Sequence, residues 1–306
     1  MKYGLEIQQN LLDQSNVNPM IIEEQTKMTK DVYIAVLLTV YNRKETTIKG
    51  LKSLHANISS FPKNYHYDIY MVDDGCSDGT SETVKNLYPF VNIIEGNGSL
   101  YWGGGMNEAW KTAAKSRDYN YFLWFNDDVI LYPNALGSLF SIMNEENDNV
   151  IVSGVFEDEN HIISYGGKDK TTKLLPLGST KDVFYMNGNL VLIPNIIFKE
   201  VGFLDTTFIH GHGDYDYGLR AKAKGFKIRL TENYVGLCSR HDKESRKFLD
   251  KNIPLKKRFH ILYSKKTSPF ITFKFHLRHR GLFFAICKFF RINFATLFPS
   301  IYNALR

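Results

Sequence analysis

Four polar stretches carry residue types able to do chemistry. Asn126-Asp127-Asp128 sets two carboxylates side by side. Adjacent carboxylates repel each other and lose hydration together. A divalent cation relieves both, and Mg2+ or Mn2+ favours one or two carboxylates completed by phosphate oxygens. The competing reading is a solvated turn with Asp127 as a helix cap. Asp73-Asp74-Gly75-Cys76-Ser77-Asp78-Gly79-Thr80 offers acceptors for a nucleobase N–H or ribose hydroxyls, or else a plain turn capped by Ser77 or Asp78. Gly103-Gly104-Gly105, inside Gly98–Asn107, lets the backbone approach a phosphate at a helix start, and equally marks a flexible loop. No Gly-Lys-Ser/Thr follows, so it is not a P-loop.

The fourth stretch, His210-Gly211-His212-Gly213-Asp214-Tyr215-Asp216, places two acids at a helix start. Two positions apart, they point in different directions. One can act as a base while the other caps the helix or pairs with Arg220 at i+4. His210 and His212 are candidate metal ligands without HExxH spacing, set against the commoner structural histidine, and the lone His241 reads as structural unless folding brings it near Asp128.

These stretches must be held by elements. Tyr33–Val40 is a continuous apolar and β-branched run, as in a strand covered on both faces. Lys44–Ile58 has helical apolar spacing. Strands are expected at Tyr67–Val72, Val91–Glu95 and Tyr121–Phe125, with helices over Thr80–Leu87 and Met106–Ser116 and another opening at Pro133. Further strands are expected at Val150–Phe156, Ile162–Tyr165, Gly188–Ile193, Phe226–Leu230 and Tyr234–Leu237, and a helix over Asp214–Lys224. The alternation predicts an α/β fold with a mostly parallel sheet flanked by helices. Ligands of such sheets sit beyond the carboxyl ends of the strands. Three strand ends here carry polar groups: Thr39-Val40-Tyr41-Asn42, Asp73-Asp74 and Asp127-Asp128.

The charge is unevenly spread. Residues 251–306 hold 12 Lys/Arg and no acid, whereas the first 250 residues hold 26 Lys/Arg against 32 acids. The organisation expected is a polar arm over 1–30, one domain over 31–250, and a basic amphipathic helical tail over 251–306. The tail also carries 12 Phe/Tyr. Basic and aromatic residues together favour an anionic membrane surface over nucleic acid, and the tail is also a candidate homodimer contact. No signal peptide or spanning segment is evident, and three widely spaced cysteines suit a reducing cytosol. The expected location is cytoplasmic, peripheral on the inner face of the plasma membrane.

Thr39-Val40-Tyr41-Asn42, Val72-Asp73-Asp74-Gly75, Asn126-Asp127-Asp128 and Gly213-Asp214-Tyr215-Asp216-Tyr217-Gly218-Leu219-Arg220, in this order, make the chain resemble the family-2 glycosyltransferases of bacterial polysaccharide synthesis, with a GT-A fold. The resemblance covers roughly Tyr33 to His241. Trp102-Gly103-Gly104-Gly105-Met106-Asn107 resembles a rhamnosyltransferase-like subgroup. The resemblance implies a UDP- or dTDP-sugar donor, a glycan or lipid-linked glycan acceptor, and Mn2+ or Mg2+ as cofactor. By position, Thr39, Tyr41, Asn42 and Asp74 match nucleoside-binding residues, and Asp127 the ribose or donor-sugar contact. Trp102, Gly103, Gly104 and Asn107 fall in a stretch able to cover the diphosphate or donor sugar. Asp128 matches the metal ligand and His241 a further one; Asp214 matches the base and Asp216 a supporting acid. Asn187-Gly188-Asn189 lies on the acceptor side. The chain departs from the family in having Gly213 before Asp214, where Glu is common, and Cys76 where Ser is common.

Two other readings remain. A nucleotidyltransferase would carry a glycine-rich loop with Arg and Lys after the first strand, where this chain has Thr39-Val40-Tyr41-Asn42-Arg43. A non-catalytic nucleotide- or glycan-binding module would not depend on Asp214 for its activity.

Overall fold

The computed structural model describes residues 30–178, 183–240, 244–265 and 267–304, so His241 and nearly all of the arm lie outside the described residues. In chain order the first elements are β1 (Val32–Val40), α1 (Lys44–Ser59), β2 (Tyr65–Asp73), α2 (Thr80–Leu87), β3 (Val91–Glu95), α3 (Tyr101–Ser116) and β4 (Tyr121–Phe125). Then come β5 (Ile130–Leu131), α4 (Ala135–Glu145), β6 (Val150–Glu157), β7 (Ile163–Tyr165), β8 (Leu190–Pro194), α5 (Asn195–Val201), α6 (Gly213–Ala223) and β9 (Lys227–Leu237). The tail holds α7 (Leu255–Leu262), α8 (Pro269–Arg280), α9 (Leu282–Leu297) and α10 (Pro299–Ala304).

Alternate residues of β1 serve two cores. Ile34, Val36, Leu38 and Val40 face one, with Leu51 and Leu54 of α1 and Leu139 and Met143 of α4. Ala35 and Leu37 face the other, with Met106 and Trp110 of α3, Ile197 of α5 and Tyr217 of α6. A strand buried on both faces belongs at the centre of three layers. The sheet runs β3-β2-β1-β4-β8-β6-β9-β5, with β7 beside β6. The first four strands are parallel, β8 is antiparallel to both β4 and β6, and β9 is parallel to β6. The parallel strands therefore deliver Val40, Asp73 and Phe125 to one edge, and the polar stretches follow them. The expected α/β class, with flanking helices and a helical basic tail, is the one observed.

Three local expectations change. The helix expected from Met106 begins at Tyr101, so the glycines lie in its first turn. Asp74 supplies the cap from β2, accepting hydrogen bonds from Leu100 N at 3.1 Å and Tyr101 N at 2.8 Å. Glycine costs about 1 kcal/mol in a helix, but close packing requires it here. A Cβ at Gly103 would stand 2.2 Å from Phe208 O, and one at Gly105 2.1 Å from Thr39 Oγ1. The two strands expected over 226–237 are one, β9, with irregular register against β6 between Ser153 and Phe156. The helix after Pro133 begins at Ala135, behind Asn134 in the left-handed region.

Candidate active site

At the end of β4 both acids meet one guanidinium. Arg43 Nη2 lies 3.0 Å from Asp127 Oδ1, and Arg43 Nη1 lies 2.8 Å from Asp128 Oδ2. Thr47 Oγ1 donates to Asp127 Oδ2 at 3.0 Å. Asp127 is buried, and burial pushes its pKa up to about 6 against the pull of Arg43. Asp128 keeps 14% of its side chain exposed. Both carboxylates are hard oxygen donors at a point where the fold already gathers positive charge, and that donor set fits Mg2+ or Mn2+. Among the described residues, no three His, Cys, Asp or Glu side chains converge as a ready metal cluster.

The neighbouring strand ends support one another. Asn42, in the left-handed region, accepts from Ser77 N at 2.7 Å and gives its own N–H to Cys76 Sγ, tying the β1 and β2 loops together. Thr39 is half-buried beneath α3, and Tyr41 is exposed. Asp74 is buried, and its two oxygens accept the backbone N–H groups of Leu100, just before α3, and Tyr101, its first residue. Asn107 is buried with no hydrogen-bond partner at Oδ1. Tyr101 enters α3 at φ 54, a conformation that costs a bulky residue about 1–3 kcal/mol and that clusters at functional sites.

Trp102 links these ends to α6. Its Nε1 donates to Asn126 Oδ1 at 2.7 Å, and Asn126 Nδ2 donates to Asn189 Oδ1 at 2.8 Å. The indole presses on Gly188, where a Cβ would stand 2.6 Å from Trp102 Cζ2 and 3.4 Å from Asp214 Cβ. The glycine between two asparagines thus admits both Trp102 and Asp214.

The two acids of α6 have separate surroundings. Asp214 is half-buried, and its Oδ1 accepts from Tyr215 N at 2.9 Å. Burial pushes its pKa up to about 6, with the Tyr215 amide and the charge of Lys168 pulling back. Asp216 has no exposed surface. It accepts from Arg220 Nε at 2.8 Å and Arg278 Nη1 at 2.7 Å, and His279 Nε2 stands at 2.8 Å. Burial works against its charge, but these bonds outweigh it and hold its pKa below the ordinary carboxylate value. The i+4 pairing with Arg220 is the one expected from the spacing.

His210 rests edge-on to Tyr101, and His212 stacks on Phe275 at 4.6 Å. Arg43, Thr47 and Lys168 also stand beside these acids, and nothing in the sequence assigns them a role. A cation directly after a strand end, as at Arg43, was the signal available.

Residues 35–202 match the family described as Glycosyl transferase family 2. An uncharacterized glycosyltransferase of Rickettsia typhi is 27% identical over 201 residues, covering 60% of this chain and 56% of the relative. The hyaluronan synthase of Streptococcus pyogenes is 29% identical over 125 residues, covering 38% of this chain and 28% of the synthase. The chain spans little more than half the length of the Rickettsia relative and less of the synthase. Two solved structures share the fold. TarS 1-349 of S. aureus, in complex with UDP, has a TM-score of 0.56 at 15% identity, covering 90% of this chain and 92% of that one. A mannosyltransferase of Pyrobaculum calidifontis, in complex with GDP-Man and Mn2+, has a TM-score of 0.54 at 14% identity, covering 85% and 74%. The architecture is that of GT-A glycosyltransferases. With more than half of its length matched to the family pattern, the chain belongs to glycosyl transferase family 2.

Proposed function

We propose that the chain transfers a sugar, with inversion, from a UDP- or dTDP-linked donor to a hydroxyl of a glycan or lipid-linked glycan in cell-surface polysaccharide synthesis, with Mn2+ or Mg2+ as cofactor. The observation that carries this reading is the join between the two acidic sites. Trp102 is hydrogen-bonded to Asn126, next to Asp127-Asp128, and packs on the glycine that faces Asp214. Trp102 thereby spans from the strand ends to a carboxylate whose pKa is raised to about 6.

Asp214 takes the proton of the acceptor hydroxyl, a role suited to a partly accessible base with a pKa near the working pH. The acceptor oxygen then bonds to the anomeric carbon while the bond to the diphosphate breaks on the opposite face. Asp128, with Asp127 behind it, would hold the metal, and His241 is a further candidate ligand. The bound metal supplies a positive charge for the departing diphosphate. Thr39, Tyr41 and Asn42 lie where the nucleoside would rest. Asp74 orients α3 and thus positions Trp102, Gly103, Gly104 and Asn107. Asp216 anchors α6 to α8 and acts through position alone. The nucleotide complexes of the TarS and Pyrobaculum structures support a nucleotide-sugar donor.

The test is thermal stability across a panel of nucleotide sugars with Mn2+ or Mg2+. One donor should stabilise the fold, by about 2.7 kcal/mol at a hundred times its Kd, and chelation should remove the effect. No stabilisation by any donor with either metal would sink the reading.

The tail supports a membrane-facing placement. Phe283, Ile286, Phe290, Phe294 and Leu297 are exposed and recur at helical spacing along one face of α9, with Phe283 83% exposed. The acid-free basic tail complements an anionic surface, and no described helix is long and apolar enough to cross a membrane. Phe283→Ser with Phe290→Ser should stop the protein floating with phosphatidylglycerol vesicles; unchanged flotation refutes the contact.

A further inference from the structure

A cavity of about 270 Å³ opens where α6 meets the tail, and its lining includes none of the strand-end residues. Lys170 approaches from the segment after β7, His212 and Tyr215 from the start of α6, His276 and Arg280 from α8, and Lys288 from α9. Among the described residues, no carboxylate lines it. Three cations from separate parts of the chain therefore converge with no anion among the described wall residues, an arrangement that a counterion would relieve. Arg280 and Lys288 are both drawn over the ring of Phe284, at 4.3 and 5.4 Å from its centroid. Arg280 Nη2 also donates to Lys170 O at 3.3 Å, holding the two walls together.

A second, independent observation lies among the imidazoles. His276 is 9% exposed, and its Nδ1 is buried with no hydrogen-bond partner; the same is true of His212 Nδ1. Buried polar atoms usually find a partner, and these two ring nitrogens, on residues that line the cavity, have none. Guanidinium, ammonium and imidazole donors around a compact volume match the several acceptor oxygens of a phosphoryl group. The volume lies just under the roughly 300 Å³ at which drug-sized pockets begin, which suits a small anion.

We propose that this cavity binds a phosphoryl or diphosphoryl group. Its wall includes Tyr215, the residue after Asp214, and Lys288 stands on the helix with the exposed apolar face. The group can therefore be borne by a lipid-linked acceptor or by an anionic lipid headgroup. The cavity is argued from its own lining and does not depend on the sugar-transfer reading, because its test involves no turnover.

The test is calorimetric titration of the full chain with inorganic diphosphate in chelator. Wild type should bind. Arg280→Gln with Lys288→Gln should weaken binding at least tenfold, and so should Lys170→Gln, which stands on the opposite wall and leaves the tail helices untouched. Asp128→Asn should leave the affinity unchanged. Two vesicle arms identify the source: phosphatidylcholine doped with a prenyl diphosphate, and phosphatidylcholine doped with phosphatidylglycerol. Loss in the Arg280 and Lys288 double variant confined to the first assigns the group to the acceptor, and loss confined to the second assigns it to the headgroup. The proposal is overturned if wild type fails to bind diphosphate, if Asp128→Asn abolishes binding, or if the Lys170 and Arg280/Lys288 variants bind as wild type does.

Discussion

Asp127 and Asp128 share one guanidinium, whereas the pair on α6 divides its partners unequally. Asp216 takes Arg220, Arg278 and His279, while Asp214 accepts a hydrogen bond from the backbone amide of Tyr215. The difference lies in where the cations come from. Arg43 stands at the start of α1, beside the strand ends it serves, with 44% of its side chain exposed. Arg278 and His279 reach Asp216 from the tail and lock α8 against α6. The strand-end pair is thus held by one cation from the adjoining helix start, and Asp216 by Arg220 on its own helix together with Arg278 and His279 from the tail. Asp214, next to that clamp, is fixed in place without being neutralised. On the proposed reading, a base and a helix anchor sit two residues apart because Asp214 lies beside Gly188 and Trp102 whereas Asp216 meets the tail.

The largest expected effect breaks the contrast on α6. Asp214→Asn should lower transfer about 10²- to 10⁴-fold, the usual contribution of a general base, while donor binding measured by calorimetry stays near wild type. Unchanged transfer would remove Asp214 from the mechanism. Asp216→Asn should behave in the opposite way. Removing one side of a buried ion pair costs about 3–5 kcal/mol. The lower end applies here because Arg278 is 40% exposed and can return to water. Denaturant unfolding should show that loss, and a variant as stable as wild type would refute the clamp.

The contrast also explains what the sequence reveals. β4 at Tyr121–Phe125 and the acids behind it are legible because a short apolar run and the turn after it are local features. The pairing of Asp216 with Arg220 is legible because it spans one helical turn. Its pairing with Arg278 spans 62 positions, and nothing near Asp216 announces it. The start of α3 is hidden for the same reason. Its cap, Asp74, lies 26 and 27 positions before the amides it receives, and the glycines look like a loop until Thr39 and Phe208 are seen pressing on them. The strand–helix alternation and the polar strand ends could be read from pattern; the order of the strands and the closure of the site by distant side chains could not.

A smaller effect tests the strand-end pair. If the metal takes the position that Arg43 holds between Asp127 and Asp128, then Arg43→Ala removes a competitor for those oxygens. Mn2+ binding in the absence of nucleotide should tighten, by about tenfold or 1.4 kcal/mol, while the metal-free protein loses stability as the two carboxylates face each other alone. Weaker Mn2+ binding would mean that Arg43 supports the site and does not compete for it.

The smallest effect concerns pH. Asp214 has its folded pKa raised to about 6 from the ordinary 3.8, so between those values the folded chain holds a proton that the unfolded chain has lost. Its contribution to stability is present at low pH and fades as pH rises through about 6. Asp216 runs the other way: its pKa is lowered, and its contribution is lost only as pH falls below the ordinary range. On acidification, transfer should therefore fail near pH 6 before the α6–α8 clamp weakens. Asp127 also titrates near 6, so the limb alone does not name its owner. Lys168 separates the two, because its charge lowers Asp214 and is not among the influences on Asp127. Lys168→Met should move the acid limb of kcat/KM to higher pH, with circular dichroism unchanged across the same range. A limb that stays in place would assign the titration to the strand-end pair and return the base to an unidentified group.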